Sequence, residues 1–360
     1  MIRLAASCGW EGGWGRHARC FASALDRHEP TELVDLDTPP AKGPKAWIER
    51  SRLRFSMDSA GISLGALEHT PTLGTRYRIA FCTSETTAIP IPHLFYLYRA
   101  DMVWSMSSWG RELLERHGLS AEKIRVVPAG VDTTVFTPPL SERQRGKLFR
   151  FLCVGKWEER KGTADLVRAF SEEFDPAEPV ELVMHCGTSW ARKLDFRQEI
   201  AQVLASTGRN GARIVPSDPV ELRSLVDLMQ SCHAFVLPTR GEAWGLPILE
   251  AMACELPCIV TDYSGPTEYA NEDNCYLIRV QEMRKVEDTE FFYSGYDWGM
   301  WAQPDLAHLR SLMRFVYENP EDARRKARRA REDAVKYWTW DLAAEKAVAH
   351  IQELRRGKGA

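Results

Sequence analysis

Two lysines five residues apart and two glutamates eight residues apart carry the most specific chemistry in this chain. Lys156 and Lys161 lie in Gly155-Lys156-Trp157-Glu158-Glu159-Arg160-Lys161-Gly162, straight after an apolar run and ahead of a helical pattern. Two ammonium groups beside a helix N-terminus make a diphosphate site, because the terminal N–H groups and the helix dipole favour negative charge. Lysines also stabilise charge growing on a departing diphosphate without a metal. Read alone, the segment fits a charged surface loop as well. Glu242 and Glu250 lie in Pro238-Thr239-Arg240-Gly241-Glu242-Ala243-Trp244-Gly245-Leu246-Pro247-Ile248-Leu249-Glu250-Ala251-Met252-Ala253, where an apolar strand hands over to a helix. A core helix does not need two carboxylates bracketing a Gly-Leu-Pro turn. A sugar-nucleotide site does, since carboxylates accept hydrogen bonds from sugar and ribose hydroxyls. Gly245 allows close approach of backbone to a ligand.

Other candidates are less specific. Glu85, in Thr83-Ser84-Glu85-Thr86-Thr87-Ala88-Ile89-Pro90, reads by itself as a loop carboxylate or helix cap; the nearby His93 reads as structural. Gly12 and Gly13 belong to the loop Glu11-Gly12-Gly13-Trp14-Gly15 between the first apolar run and a helix. Asp35-Leu36-Asp37 has the form of a metal-binding D-x-D, but it sits early and beside an apolar strand. Cys254 and Cys258 lack the second pair that a zinc site needs. No metal and no cofactor are expected.

The elements that position these residues are those of an α/β fold. Candidate strands at 2–7, 32–36, 61–67, 77–82, 102–105 and 124–128 come with helical patterns at 18–25 and 109–117. Polar residues 137–147, with two prolines, read as a linker. Strands at 149–154, 181–186, 213–216, 234–238 and 258–262 then alternate with helices at 163–170, 191–205 and 247–254, and Asp218 reads as a helix N-cap. Such alternation predicts parallel, doubly wound sheets, where ligands sit at the strand-to-helix handovers. The aromatic-rich stretch 281–301 shows no period and reads as an irregular excursion. Two or three helices follow, the last over 342–354. The expected domains are residues 1–137, with the C-terminal helix at about 339–360 packing back on them, and residues 148–335.

A length of 360 residues favours two domains. A net charge of -3 gives no global field for polyanions, so a nucleic-acid partner is not suggested, though a local patch would suffice for one. The basic run Arg324-Arg325-Lys326-Ala327-Arg328-Arg329 reads as a solvated helix face, with contact to an anionic membrane as the alternative. Nine cysteines, mostly in apolar runs, suit free thiols in a reducing compartment. With no secretory pattern in the first residues and no apolar run of membrane-spanning length, a cytoplasmic protein is expected.

With these motifs in place, the second half resembles the family 4 (group 1) glycosyltransferases of the GT-B fold. Those show V-G-R-L-x-x-x-K-G, then P-S-x-x-E-G-F-G-L-P-x-x-E-A-M-A, then G-x-P-V-I. Here Lys156 replaces arginine, Ala243-Trp244 replaces Gly-Phe, and Glu255 replaces the glycine before Leu256-Pro257-Cys258-Ile259. Gly130-Val131-Asp132 is similar to the N-G-V-D that closes the first domain. Thr83 to Pro90, with Asp101-Met102-Val103-Trp104-Ser105-Met106-Ser107, is similar to a subgroup with W-E-T-S-x-L-P and D-x-V-W-x-x-S; many relatives carry a histidine near Glu85 instead, and the resemblance implies that Glu85 faces the reacting sugar or the acceptor.

The resemblance implies two Rossmann-like domains facing a cleft and a retaining, metal-independent transfer from a nucleotide sugar. It implies that Lys156 and Lys161 bind the diphosphate and that Glu242 contacts the hydroxyls of the transferred sugar. Backbone N–H groups near Gly245 and Leu246 would hold sugar and phosphate, Glu250 the donor ribose, and Gly12 and Gly13 the diphosphate from the other domain. A glycan or lipid-linked saccharide is the default acceptor. The alternatives are a modified DNA base as acceptor, or a sugar-nucleotide epimerase or hydrolase of the same fold.

Overall fold

The computed structural model describes residues 1–8, 13–37, 58–141, 147–187, 195–208, 211–217, 222–288, 292 and 295–357. Gly12 and Asp218 lie outside them, as do residues 191–194 of the helix expected at 191–205. The chain divides into two compact units, Met1–Gly130 with Trp338–Ala360, and Val131–Tyr337. Residues 131–137, assigned to the first domain on sequence grounds, therefore cluster with the second unit.

The first unit is built on six parallel strands, β1 (Ile2–Ala6), β2 (Thr31–Asp35), β3 (Ala60–Leu64), β4 (Tyr77–Cys82), β5 (Met102–Ser105) and β6 (Ile124–Val126), in the order β2-β1-β3-β4-β5-β6. Strands β1 and β3 are buried along their whole length, which is why they read as apolar runs rather than alternating ones. Helix α1 (Gly13–Asp26) buries Ala18, Phe21, Ala22 and Leu25, one face at helical spacing. Helices α2 (Ile91–Arg99) and α3 (Ser108–Arg116) follow; α3 is capped by Ser107, whose hydroxyl accepts from the Gly110 N–H at 3.2 Å. The C-terminal helix, Trp340–Gly357, belongs to this unit. Its Trp340 joins His17, Phe21, Phe81 and Trp104 in one aromatic cluster, and Arg355 holds Glu29 through two hydrogen bonds of 2.7 Å.

The second unit carries β7 (Phe149–Lys156), β8 (Val180–Gly187), β9 (Ile214–Ser217), β10 (Ala234–Leu237), β11 (Cys258–Thr261) and β12 (Tyr276–Ile278), all parallel, in the order β12-β11-β10-β7-β8-β9. Helices α4 (Thr163–Glu173), α5 (Phe196–Thr207), α6 (Leu222–Ser231) and α7 (Leu246–Ala253) connect the strands, and α8 (Leu306–Glu318) and α9 (Pro320–Tyr337) complete the unit; the C-terminal helix is α10. Part of the stretch expected to be irregular is an antiparallel hairpin, β13 (Val280–Lys285) with β14 (Met300–Pro304). Strand β13 is mostly exposed and polar, so no core-facing alternation marks it in the sequence. The basic run lies on α9. There Arg324 pairs with Glu321, Arg325 with Asp322 and Arg329 with Asp333, and Lys326 donates to the Cys275 carbonyl at 2.9 Å. Asp35 is tied locally as well, its carboxylate accepting the N–H groups of Cys8 and Asp37. Among the described residues no group of three or more His, Cys, Asp or Glu could hold a metal ion, and no helix is long and apolar enough to cross a membrane.

Candidate functional site

Strand order assembles the site. Strands β11, β10 and β7 are consecutive neighbours, and all are parallel. The loops leaving their C-terminal ends, after Thr261, Leu237 and Lys156, therefore meet at one edge of the sheet, the ligand edge of a doubly wound fold. Lys156 is the last residue of β7 rather than a loop residue, and its ammonium group lies 3.6 Å from Glu158 Oε1. Gly162 then turns the chain into α4 with φ 66°, and a Cβ there would stand 2.2 Å from the Pro238 carbonyl oxygen. Only glycine permits both the left-handed backbone and that approach.

Glu242 is the centre of the charge network and is 4% exposed. Its Oε1 accepts from Lys161 Nζ at 2.5 Å and from the Thr239 hydroxyl at 3.1 Å, and the Arg160 guanidinium stands 3.4 Å from the same oxygen. These three groups converge on the one carboxylate oxygen. Burial by itself pushes the Glu242 carboxyl up, but the charges of Lys161 and Arg160 and the hydrogen bonds from Lys161 and Thr239 outweigh it. The group is held below the usual carboxylate range, ionised at neutral pH. Arg160 also donates to the Gly241 carbonyl at 2.8 Å and reaches Glu158 Oε2 at 3.3 Å. Three cations, Lys156, Arg160 and Lys161, thus face two carboxylates, Glu158 and Glu242, in one ion-pair network.

The loop backbone is pinned from both sides. The Arg240 N–H donates to the Arg160 carbonyl at 2.7 Å. The Arg240 side chain bonds Gln303 at 3.1 Å and Asp165 at 2.7 Å, donates to the Glu159 carbonyl, and lies over the Trp301 ring. The Ala302 N–H on β14 returns a 2.9 Å bond to the Arg240 carbonyl. The hairpin is therefore fastened to the Glu242 loop. Gly245 caps α7 with φ 87°, and a Cβ there would press on Ile248 at 3.0 Å and on the Tyr269 hydroxyl at 3.1 Å. That hydroxyl donates to the carbonyls of Trp244 and Gly245 at 2.7 and 3.0 Å, bracing the turn from below. Leu246 opens α7; Pro247 has no N–H, and the Ile248 N–H donates to the Gly245 carbonyl at 2.9 Å. Glu250 is buried one turn further along.

Lys156, Lys161, Glu242, Gly245, Leu246 and Glu250 all belong to the second unit, and Lys161 and Glu242 are in direct contact. Gly13, at the start of α1, and Glu85, half-buried in the loop after β4, belong to the first unit. His93 is half-buried on α2, and burial lowers its affinity for a proton. Sequence reasoning passed over Arg160, Thr239, Arg240 and Ser264. Arg160 had one available signal, as a third cation within the lysine-bearing segment; the others become visible only through their partners.

Residues 149–288 match the family model for glycosyl transferases group 1, a span that includes both lysines and both glutamates. The chain is 27% identical over 285 residues to D-inositol 3-phosphate glycosyltransferase of Corynebacterium aurimucosum, covering 74% of this chain and 63% of that one. It is 28% identical over 229 residues to the protein of that name from Acidothermus cellulolyticus, covering 58% and 50%. The chain spans about half the length of the curated relatives it matches. Among solved structures, Anabaena HepE in complex with UDP-glucose superimposes with a TM-score of 0.72 at 14% identity, over 98% of this chain and 99% of that one. Sucrose-phosphate synthase from Thermosynechococcus elongatus does so with a TM-score of 0.70 at 17% identity, over 99% of each. The fold is that of these proteins, α/β with two Rossmann-like domains of the GT-B class.

Proposed function

We propose that the protein is a retaining glycosyltransferase that moves a sugar from a nucleotide-diphosphate sugar to a hydroxyl of a glycan or lipid-linked saccharide. The observation that carries this reading is the division of labour on Glu242. Lys161, Thr239 and Arg160 converge on Oε1 and fix the carboxylate in place, and the sugar hydroxyls are assigned to Oε2. The adjoining lysines suit a diphosphate. Sequence similarity to group 1 glycosyltransferases over this same span supports it, as does likeness in fold to a protein crystallised with UDP-glucose.

In the reaction so proposed, the bond between the anomeric carbon and the diphosphate oxygen breaks as the acceptor oxygen bonds the same face of that carbon. The acceptor's proton passes to a donor phosphate oxygen, so no enzyme base is required. Negative charge grows on the leaving diphosphate. Lys156, Lys161 and the N-terminus of α4 stabilise it in place of a metal, while Glu250 holds the donor ribose and Gly245 and Leu246 offer backbone N–H groups to sugar and phosphate. Gly12, Gly13 and Glu85 would serve from the first unit. We place the protein in the cytoplasm, where nucleotide sugars are made.

A thermal-shift panel of UDP-, GDP- and ADP-sugars identifies the donor, because a ligand that binds only the native state raises the unfolding temperature. Transfer from that donor is then measured in Glu242→Gln and Lys161→Ala. Loss of transfer in both, with the fold retained, is the expected result; full activity in both refutes the assignment.

A further inference from the structure

The turn after β11 runs Thr261-Asp262-Tyr263-Ser264-Gly265, and its backbone is unusual at one residue. Ser264 has φ 61° and ψ −147°. That conformation borders a region open essentially to glycine alone, so a side chain there is strained and persists only where its surroundings impose it. Ser264 is 1% exposed, so solvent does not hold it.

The Thr267 N–H and hydroxyl hold the Ser264 carbonyl, at 3.1 and 2.7 Å, and Glu242 engages its side chain. The Glu242 N–H donates to Ser264 Oγ at 3.0 Å, and the Gly265 N–H donates to the Glu242 carbonyl at 3.0 Å. Both main-chain groups of Glu242 are thus engaged by consecutive residues of the strained turn. The Ser264 hydroxyl hydrogen points the other way, to the Tyr263 carbonyl at 2.7 Å, which leaves Oγ lone pairs toward Glu242. The two backbones touch, since a Cβ on Gly265 would lie 2.1 Å from the Ala243 carbonyl oxygen. Glycine at 264 would relax the turn, yet it has no oxygen for the Glu242 N–H. A serine kept in a glycine conformation has its physical reason in that oxygen.

We infer that Ser264 is a positioning residue: its strained turn sets the backbone from which the Glu242 carboxylate projects, and so sets where the transferred sugar sits. The inference rests on the reading of Glu242 as the sugar contact. Ser264 bonds the Glu242 backbone, so its effect falls first on the reacting centre and reaches the diphosphate only through Lys161.

Two variants separate strain from positioning. Ser264→Gly and Ser264→Ala both delete the oxygen, but only glycine relaxes φ, so the glycine variant is expected to unfold at the higher temperature. The glycine variant should bind UDP, GDP or ADP, whichever the wild type binds, with an affinity changed far less than kcat. Its kcat for transfer from the matching nucleotide sugar should fall roughly ten- to hundred-fold, the cost of a misplaced reacting group. A merely structural serine predicts the reverse, a relaxed glycine variant with wild-type kcat, and that result overturns the inference. Equal unfolding temperatures for the two variants also overturn it. If the wild type itself binds none of these nucleotides and transfers no sugar, the reading of the site fails and the inference falls with it. A wild type that transfers sugar beside an unimpaired glycine variant sinks the inference alone.

Discussion

Replacing Glu242 with glutamine keeps the volume and the hydrogen-bond acceptor at Oε1 but removes a buried charge that faces Lys161 at 2.5 Å and Arg160 at 3.4 Å. Three cations would then face Glu158 alone. Removing one partner of a buried pair costs about 3–5 kcal/mol, because the other charge is stranded; the amide oxygen still accepts from Lys161, so the lower end applies. The second unit, Val131–Tyr337, is of a size at which each kcal/mol moves the midpoint by about 2–4 °C. The expected drop is therefore roughly 6–12 °C by calorimetry. Transfer should fall further than stability explains, since a hydrogen bond from a sugar hydroxyl to a charged acceptor contributes about 1.5–3 kcal/mol, roughly 10- to 150-fold in rate. The double variant Lys161→Met, Glu242→Gln tests the cause. It removes both partners and leaves Arg160 with Glu158 at 3.3 Å, so it should regain most of the lost stability and stay inactive. A double variant whose losses simply add would refute the stranded-charge reasoning. A Glu242→Gln enzyme with full activity would refute the sugar contact.

Glu255 has φ 56° just past the end of α7, where the Leu256 N–H closes the helix on the Ala251 carbonyl at 3.0 Å. Glycine suits that position, so Glu255→Gly should raise stability by about 1 kcal/mol, read as a higher calorimetric midpoint. His17 is held neutral by burial, its pKa lowered to about 3. The unfolded chain therefore takes up a proton that the native state refuses between pH 6.5 and 3. Stability falls as pH drops through that window, by up to about 1.4 kcal/mol per unit, and His17→Phe should flatten this part of a stability–pH profile from chemical denaturation. Gly162→Ala forces a Cβ to within 2.2 Å of the Pro238 carbonyl at a left-handed φ. It should cost at least about 2 kcal/mol and weaken nucleoside-diphosphate binding by calorimetric titration, because the loop bearing Lys161 must shift.

The alternation of apolar strands with helical patterns was legible, because buried parallel strands are continuous apolar runs that need no partner to be recognised. Lys156, Lys161, Glu242 and Glu250 stand out as candidates in the sequence because each lies in a contiguous segment whose neighbours also point to ligand binding. Helix α2 was not, since Ile91, Phe95 and Tyr98 are exposed and blur its apolar face. Nor was the hairpin, whose buried anchor Trp301 and Gln303 lie opposite a polar, solvent-facing β13.

The sequence by itself determined which residue types are available and which local turns present them: the glycines at 162 and 245, the lysines and the glutamates. Tertiary structure alone decided who meets whom. Lys161 and Glu242 are 81 residues apart, and Glu242 and Ser264 are 22 apart. They touch because β7, β10 and β11 are adjacent and parallel, which delivers their C-terminal loops to one edge. Pairing order between strands is set by long-range packing, and no local pattern encodes it. For that reason Arg160 looks like a surface charge in the sequence and stands in the structure as a buried counter-ion.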